Sequence, residues 1–317
     1  MSDALITSKR KEFHLGLLNK EILTRCSPSK ELEKKFKNHE VPPIVSNADI
    51  GSINSIILSQ KVAEKVEASC LGKLKTVKKK KDGNSLGKLF EQACCDYIKS
   101  TFLHLKHLRP GEWEAARVAQ DTGKRKPAEP SLGNYEQYSH LKELASQSKK
   151  NRELRAFLGD GYTIIPDVVI TRRPEPDITI NEPENIVDMY SALKSPLREI
   201  NQNPVHPLLH ASLSCKFTMR SDRAQNSRTE GLNLIRSRKG RTPHIVVITA
   251  ETSPTRLASL ALGTGDLDCV YHFALYELKA AIEELEGVDT TSWELLNTMI
   301  DGKRLKDISD LPLDLAV

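Results

Sequence analysis

Residues 212–250, SLSCKFTMRSDRAQNSRTEGLNLIRSRKGRTPHIVVITA, constrain the fold more tightly than any other stretch of the chain. Leu213, Cys215 and Phe217 alternate with Ser214, Lys216 and Thr218, the two-residue period of a strand. A polar run over 222–236 predicts a helix. Ile245–Thr249 follows as a continuous apolar segment, the mark of a strand covered on both faces. Strands separated by helices point to an α/β fold with a mixed central sheet flanked by helices. The stretch also poses a chemical question. A lysine sits inside a core strand, and Arg220, Asp222 and Arg223 crowd the turn after it.

The rest of the chain reads as further pieces of one such domain, 1–317, with no internal repeat. Apolar spacing predicts helices over 7–23, 53–70, 86–108, 135–158 and 276–286, the third stopped by Arg109-Pro110-Gly111. Strands are expected over Tyr162–Ile170, with Pro166-Asp167 in the middle, and over 267–275. Segments near 24–41, 115–134 and 172–205 are dense in charge or turn formers and read as surface loop insertions.

At 317 residues, 38% hydrophobic and 28% charged, the chain can bury a sizeable core. A net charge of +5 is compatible with nucleic acid without establishing it. Distribution says more: residues 216–241 hold eight basic side chains against Asp222 and Glu230. Such a run suits a polyanion or an ordinary solvated helix face. The lysine-rich KTVKKKKDGNS at 75–85 is a solvated loop that could lie near a phosphate backbone. None of the six cysteines has CxxC spacing, so a structural metal site is not expected. Without an apolar leader or a membrane-length run, the expected compartment is reducing and cytosolic.

Three residues converge on one chemistry. Asp167 follows a proline in an expected strand, Lys216 lies in another, and Glu230 comes on the next helix. Each has an ordinary reading: a turn cap, a lysine reaching solvent, a solvated helix face. Together they suit metal-assisted phosphodiester hydrolysis, where carboxylates hold Mg²⁺ and a cation orients water and meets developing charge. The PD…(D/E)xK pattern puts an acid two residues before the lysine. Here that position is Ser214, on the same strand face as Lys216, so another acid must serve. Glu230 is one candidate; Glu91, off the apolar stripe of its helix, is another. In the turn, arginines can donate bidentately to guanine and aspartate can accept from cytosine. Arg220, Asp222 and Arg223 therefore suit adjacent G·C pairs, or else a capped helix with a surface ion pair.

Longer matches narrow the reading. SNAD at 46–49, GKLFEQACCDYI at 87–98, HLRPGEW at 107–113, YTIIPDVVITR at 162–172, PLLHASLSCK at 207–216, ALGTGDLDCVYHFALYEL at 261–278 and the final GKRLKDISDLPLDLAV carry it. With the stretch around Lys216, they closely resemble the NgoMIV-type type II restriction endonucleases, the group that reads CCGG cores within the PD…(D/E)xK superfamily.

The resemblance implies a restriction-endonuclease-like core and Mg²⁺-dependent cleavage of double-stranded DNA at GCCGGC, after the first G, with two ions per active site. It implies Asp167 and Lys216 as the central pair, with Glu91 and Glu230 as additional acids. Ser214 and Cys215 adjoin the metal, Cys215 through its carbonyl. Arg220, Asp222 and Arg223 read the inner CCGG; Arg256 and Asp49, with Ser52 nearby, read the outer pair. Asn84 stands where the family has a glutamine used in the minor groove, and the SNADIGS turn is a residue longer, so the outer pair rests on fewer matches. A dimer of dimers is implied, as is a DNA methyltransferase protecting the same site in a bacterial host. The rival from another class is a sequence-specific DNA-binding protein that does not cleave. It would keep the reader turn without needing Asp167, Lys216, Glu91 and Glu230 together. A small-molecule site at Gly263-Thr264-Gly265 lacks the strand–glycine loop–helix context.

Overall fold

The computed structural model describes residues 3–37, 40–118, 131–153, 156, 166–219, 221–263, 265–285 and 290–317. The side chains of Ser131, Lys149, Ser221, Asp222 and Arg223 lie outside that description. The described helices are α1 (Leu5–Asn19), α2 (Lys30–Lys35), α3 (Ile53–Cys70), α4 (Gly83–Thr101), α5 (His140–Lys150), α6 (Asp177–Ile180), α7 (Ser221–Ser237), α8 (Pro254–Ala261), α9 (Leu275–Glu283), α10 (Thr290–Asp301) and α11 (Leu311–Asp314). Strands β1 (Arg25–Cys26) and β2 (Ile44–Val45) make a small antiparallel ribbon.

The main sheet has six strands in sequence order: β3 (Trp113–Arg117), β4 (Val168–Arg172), β5 (Leu208–Lys216), β6 (His244–Thr249), β7 (Cys269–His272) and β8 (Leu305–Asp307). The first three pair antiparallel and β5 to β8 pair parallel, so the sheet is mixed, as expected. Burial of every residue of β6 from Ile245 to Thr249 matches its unbroken apolar sequence. Helix α4 forms because Asp82 caps it, accepting from the Ser85 N–H at 2.9 Å, and because Leu86, Phe90, Ala93, Cys94, Tyr97 and Ile98 fall on one face. That face packs on β3 and β5, and α1 packs across α3 and α4. The apolar core runs without a break from Phe13 to Leu315, beside a small second cluster of Ile44, Ala48 and Ile56.

Four expectations change. The segment 115–134 reads as loop, yet its start belongs to β3. Only Trp113 and Ala115 of that strand are buried, and two alanines carry little strand signal, so an edge strand hides in the sequence. Asp167 stands just ahead of β4 rather than in mid-strand: pairing starts with Val168 opposite Arg117, and Pro166 has no N–H to give a ladder. Residues 162–165 lie outside the described residues. The 24–41 segment contains β1 and the helix α2, capped by Ser29. Beyond 286 the chain adds α10, β8 and α11, none of which periodicity marks. Among the described residues no helix is long and apolar enough to cross a membrane.

Candidate active site

Antiparallel pairing sets the centre of the site. Val168 lies opposite Leu213, so Asp167, one residue earlier, meets the end of β5. The Cys215 N–H donates to Asp167 Oδ2 at 2.7 Å, and Lys216 Nζ donates to the same oxygen at 3.0 Å. Thr249 Oγ1 and the Ala250 N–H donate to the Lys216 carbonyl at 2.8 and 3.2 Å, fixing the strand end from the β6 side. Asp167 is buried and Lys216 nearly so. Burial alone would lower the Lys216 pKa, yet Asp167 and then Glu230 hold it above the usual lysine value, so the ammonium is charged.

Two more acids reach this pair from separate helices. Glu91 comes from α4, off the apolar stripe of that helix; it is half-buried, and Arg117 Nε of β3 donates to its Oε2 at 3.0 Å. Burial and then the Asp167 charge push its pKa up, with Arg117 opposing. Glu230 comes from α7, and burial raises its pKa too; Lys216 opposes that and Asp167 adds to it. Asp167, Lys216, Glu91 and Glu230 line one cleft of about 390 Å³, together with Asn84, Lys88, the backbone at Cys215, and Asn226. Asn84 sits in the first turn of α4 rather than in the loop before it.

Ser214 and Cys215 turn elsewhere. Ser214 Oγ meets Ser227 Oγ of α7 at 3.3 Å, one turn before Glu230, so it braces that helix. The Cys215 thiol is fully buried against Cys94, and that contact and burial hold it far above a reactive thiol. Its backbone N–H is what bonds Asp167 in the cleft.

A divalent metal ion can be tested against these residues. Among the described residues, no three His, Cys, Asp or Glu side chains come close enough to hold an ion unaided. The donors are nevertheless all hard oxygens, and among the described residues no hydrogen bond holds the Glu230 carboxylate. Burial disfavours ionisation of Glu91 and Glu230, and the Asp167 charge adds to that penalty, which a cation would relieve. That donor set fits Mg²⁺, which keeps several waters and takes few carboxylates.

A second cleft, about 240 Å³, adjoins the first through Gly83 and Phe217. Arg256, in the first turn of α8, donates from Nη1 to the Met219 carbonyl at 2.7 Å and pairs through Nη2 with Asp49 Oδ2. Thus the two expected outer readers meet each other. Ser52 serves the fold instead, its Oγ accepting from the Ser55 N–H at 3.3 Å as the cap of α3. Arg220 lies outside the described residues. Asp222 and Arg223 fall in the first turn of α7, with side chains outside the description.

Glu251 is the residue that sequence reasoning missed. Fully buried after β6, it accepts from the Met219 N–H through Oε2 and from the Ser253 N–H through Oε1, both at 3.0 Å, with Arg256 Nη1 at 3.5 Å. Asn47 Nδ2 donates to the adjacent Ala250 carbonyl at 2.7 Å. One acid therefore ties the entrance of α7 to Arg256. Its signal is an acid directly after an apolar strand, too common a feature to single out.

Against known proteins, the family model described as NgoMIV restriction enzyme matches residues 29–317. The chain is 45% identical over 313 residues to the type II restriction enzyme NgoMIV of Neisseria gonorrhoeae, covering 99% of both proteins. A match of that length takes in both clefts and every strand of the main sheet, and so the chain belongs to the NgoMIV restriction enzyme family.

Proposed function

We propose that this restriction endonuclease hydrolyses double-stranded DNA at GCCGGC, after the first G, leaving 5′ CCGG overhangs. The observation that carries the chemistry is the Lys216–Asp167 pair at 3.0 Å, flanked by Glu91 and Glu230 from two other elements. Asp167, Glu91 and Glu230, with the Cys215 carbonyl, would hold Mg²⁺, two ions by resemblance; the bound metal supplies Lewis-acid polarisation of the phosphate. Lys216 stays protonated beside Asp167 and orients the attacking water while meeting charge that develops on the scissile phosphate. The Cys215 N–H holds Asp167 in place, so strand pairing, not side-chain chance, aims it.

Base reading is assigned to Arg220, Asp222 and Arg223 for the inner pairs, to Arg256 and Asp49 for the outer pair with Ser52 supporting their turn, and to Asn84 in the minor groove. Arg256 and Asp49 already face one cleft, which supports their joint role. Lys80 and Lys81 line that cleft, and Lys88 the catalytic one, suited to phosphates on either side. We read residues 1–317 as one domain, on the strength of the unbroken core. A palindromic site calls for symmetric copies, and by resemblance the assembly is a dimer of dimers. Ile178, Ile186, Met189, Tyr190 and Ile200, all exposed within one irregular segment, suit contact with another copy. A cytoplasmic location and a methyltransferase of the same specificity complete the reading.

A digest tests it. Purified protein with Mg²⁺ should cut a plasmid carrying GCCGGC into discrete fragments and spare one carrying CCGG only in other contexts. Lys216→Ala should abolish cleavage while binding in Ca²⁺ persists. Undiminished cutting by that variant would remove Lys216 from the mechanism, and binding without cutting by the wild type would favour the non-cleaving reading.

A further inference from the structure

At the other end of β5 from Lys216 lies a cleft of about 370 Å³ whose charge is strongly one-sided. The strand's nine residues put the two ends roughly 25 Å apart. Arg109, Arg172, Lys194, Lys239 and Arg241 converge on this cleft, and among the described residues Glu136 is the only acid that lines it. Among the described residues Lys194, Lys239 and Arg241 have no carboxylate partner. The guanidiniums of Arg109 and Arg172 lie 5.4 and 5.7 Å from the centre of the Trp113 ring. Arg172 gives one nitrogen to Glu175 at 3.2 Å, while its Nε is buried with no hydrogen-bond partner among the described residues. Arg109 Nη1 donates to the Val317 carbonyl, and burial first, then the nearby Arg241 and Arg172, hold its pKa below the usual value.

Such convergence of like charges is unfavourable by itself. An anion with several acceptor oxygens reverses it, because guanidinium forks and ammonium groups bond phosphate with charge assistance. Apolar walls from Trp113, Leu197, Leu208 and Leu209 leave room for an organic substituent. We propose that this cleft is a second binding site, for the phosphate group of a phosphate ester, separate from the catalytic cleft. The ester could be a free nucleotide or a phosphate of a DNA backbone running outside the recognition clefts. Both present the same group to the same cations.

Calorimetric titration with inorganic phosphate, in chelator so that no DNA is cut, tests the assignment. Arg241→Gln with Lys239→Gln, two exposed positions, should weaken binding roughly tenfold or more as charge-assisted bonds are lost. Lys216→Ala should leave this binding in place, because it alters only the catalytic cleft. Lys30→Gln with Lys34→Gln on exposed α2 removes the same net charge and should change nothing. No binding by the wild type, full binding by the Arg241/Lys239 variant, or equal weakening by the α2 variant would each overturn the proposal. Displacement of bound phosphate by duplex DNA lacking GCCGGC would identify the DNA backbone as the source. Failure of that duplex to compete would identify a free phosphate ester.

Discussion

Asp167 and Lys216 hold opposite charges in contact, while Glu91 and Glu230 pay for their places beside Asp167 with pKa values pushed above the usual glutamate range. Groups raised in this way bind more protons folded than unfolded. Their stabilising effect is therefore full below the unfolded pKa and is lost as pH rises through the folded one. Replacing Glu230 by neutral Gln should make the metal-free protein more stable than wild type at pH 8. That gain should shrink as pH falls through the raised folded pKa toward the ordinary glutamate value and vanish below it, while cleavage is lost at every pH. Thermal unfolding of both proteins across pH checks this; a Gln variant less stable at pH 8 would show that Glu230 is not strained. Asn84, Lys88 and Glu230 reach the same cleft from two helices, so the site is costly in charge and built for a cation and a polyanion.

At the scale of elements, the turn from β6 into α8 does the organising. Glu251 holds the chain at Met219, where α7 is about to begin, and also stands beside Arg256 of α8. Glu251→Ala leaves two backbone N–H groups without their acceptors, at about 1–3 kcal/mol each. It should therefore lower discrimination against single-base changes at both the inner and the outer pairs, with Glu251→Gln, which keeps one acceptor oxygen, in between. Cleavage rates on sites altered at one position would measure this. If stability falls but discrimination stays intact at all positions, Glu251 is only a structural bond. Gly231 shows how closely α7 is seated: a Cβ there would meet the Asp266 carbonyl at 2.5 Å.

Across the whole molecule, the outer layers are held by buried charge networks that titrate in the opposite sense to the site. Arg10 of α1 bonds Glu277 of α9 and Asp307 of β8. Burial would raise both acids, but Arg10 draws them below the usual carboxylate range, so this clamp persists until strongly acid pH. Histidines set the nearer limit. Burial lowers His272 to about 4 and His210 to about 3. The unfolded chain takes up these protons as pH falls below about 6.5, while the folded protein does not. Stability should then fall by about 1.4 kcal/mol per pH unit for each. Unfolding in denaturant at pH 7 and pH 5 should show the loss, and equal stability at both would mean that the rings accept protons without unfolding.

Much of this architecture is legible from local pattern. The stripes of α3 and α4, the alternation into Lys216 and the unbroken apolar run of β6 each report a burial face within a few residues. The pairing of Asp167 with Lys216 can be anticipated because two adjacent strands bring their ends together. Other features are not legible, because they depend on contacts between distant segments. Strand β3, with one aromatic and two alanines, is a strand only because β4 offers it an edge to pair with. Glu91 looks exposed on its own helix, and faces the site only because α4 lies across β3 and β5. The basic cleft at the far end of β5 gathers Arg172 from the end of β4 and Arg109 and Arg241 from two separate connections. By itself, then, the sequence determined which segments become helices and strands and which charged residues could do phosphodiester chemistry. The tertiary structure decided which of those charges share a cleft, since Coulomb and hydrogen-bond terms act over a few ångströms of space and not along the chain.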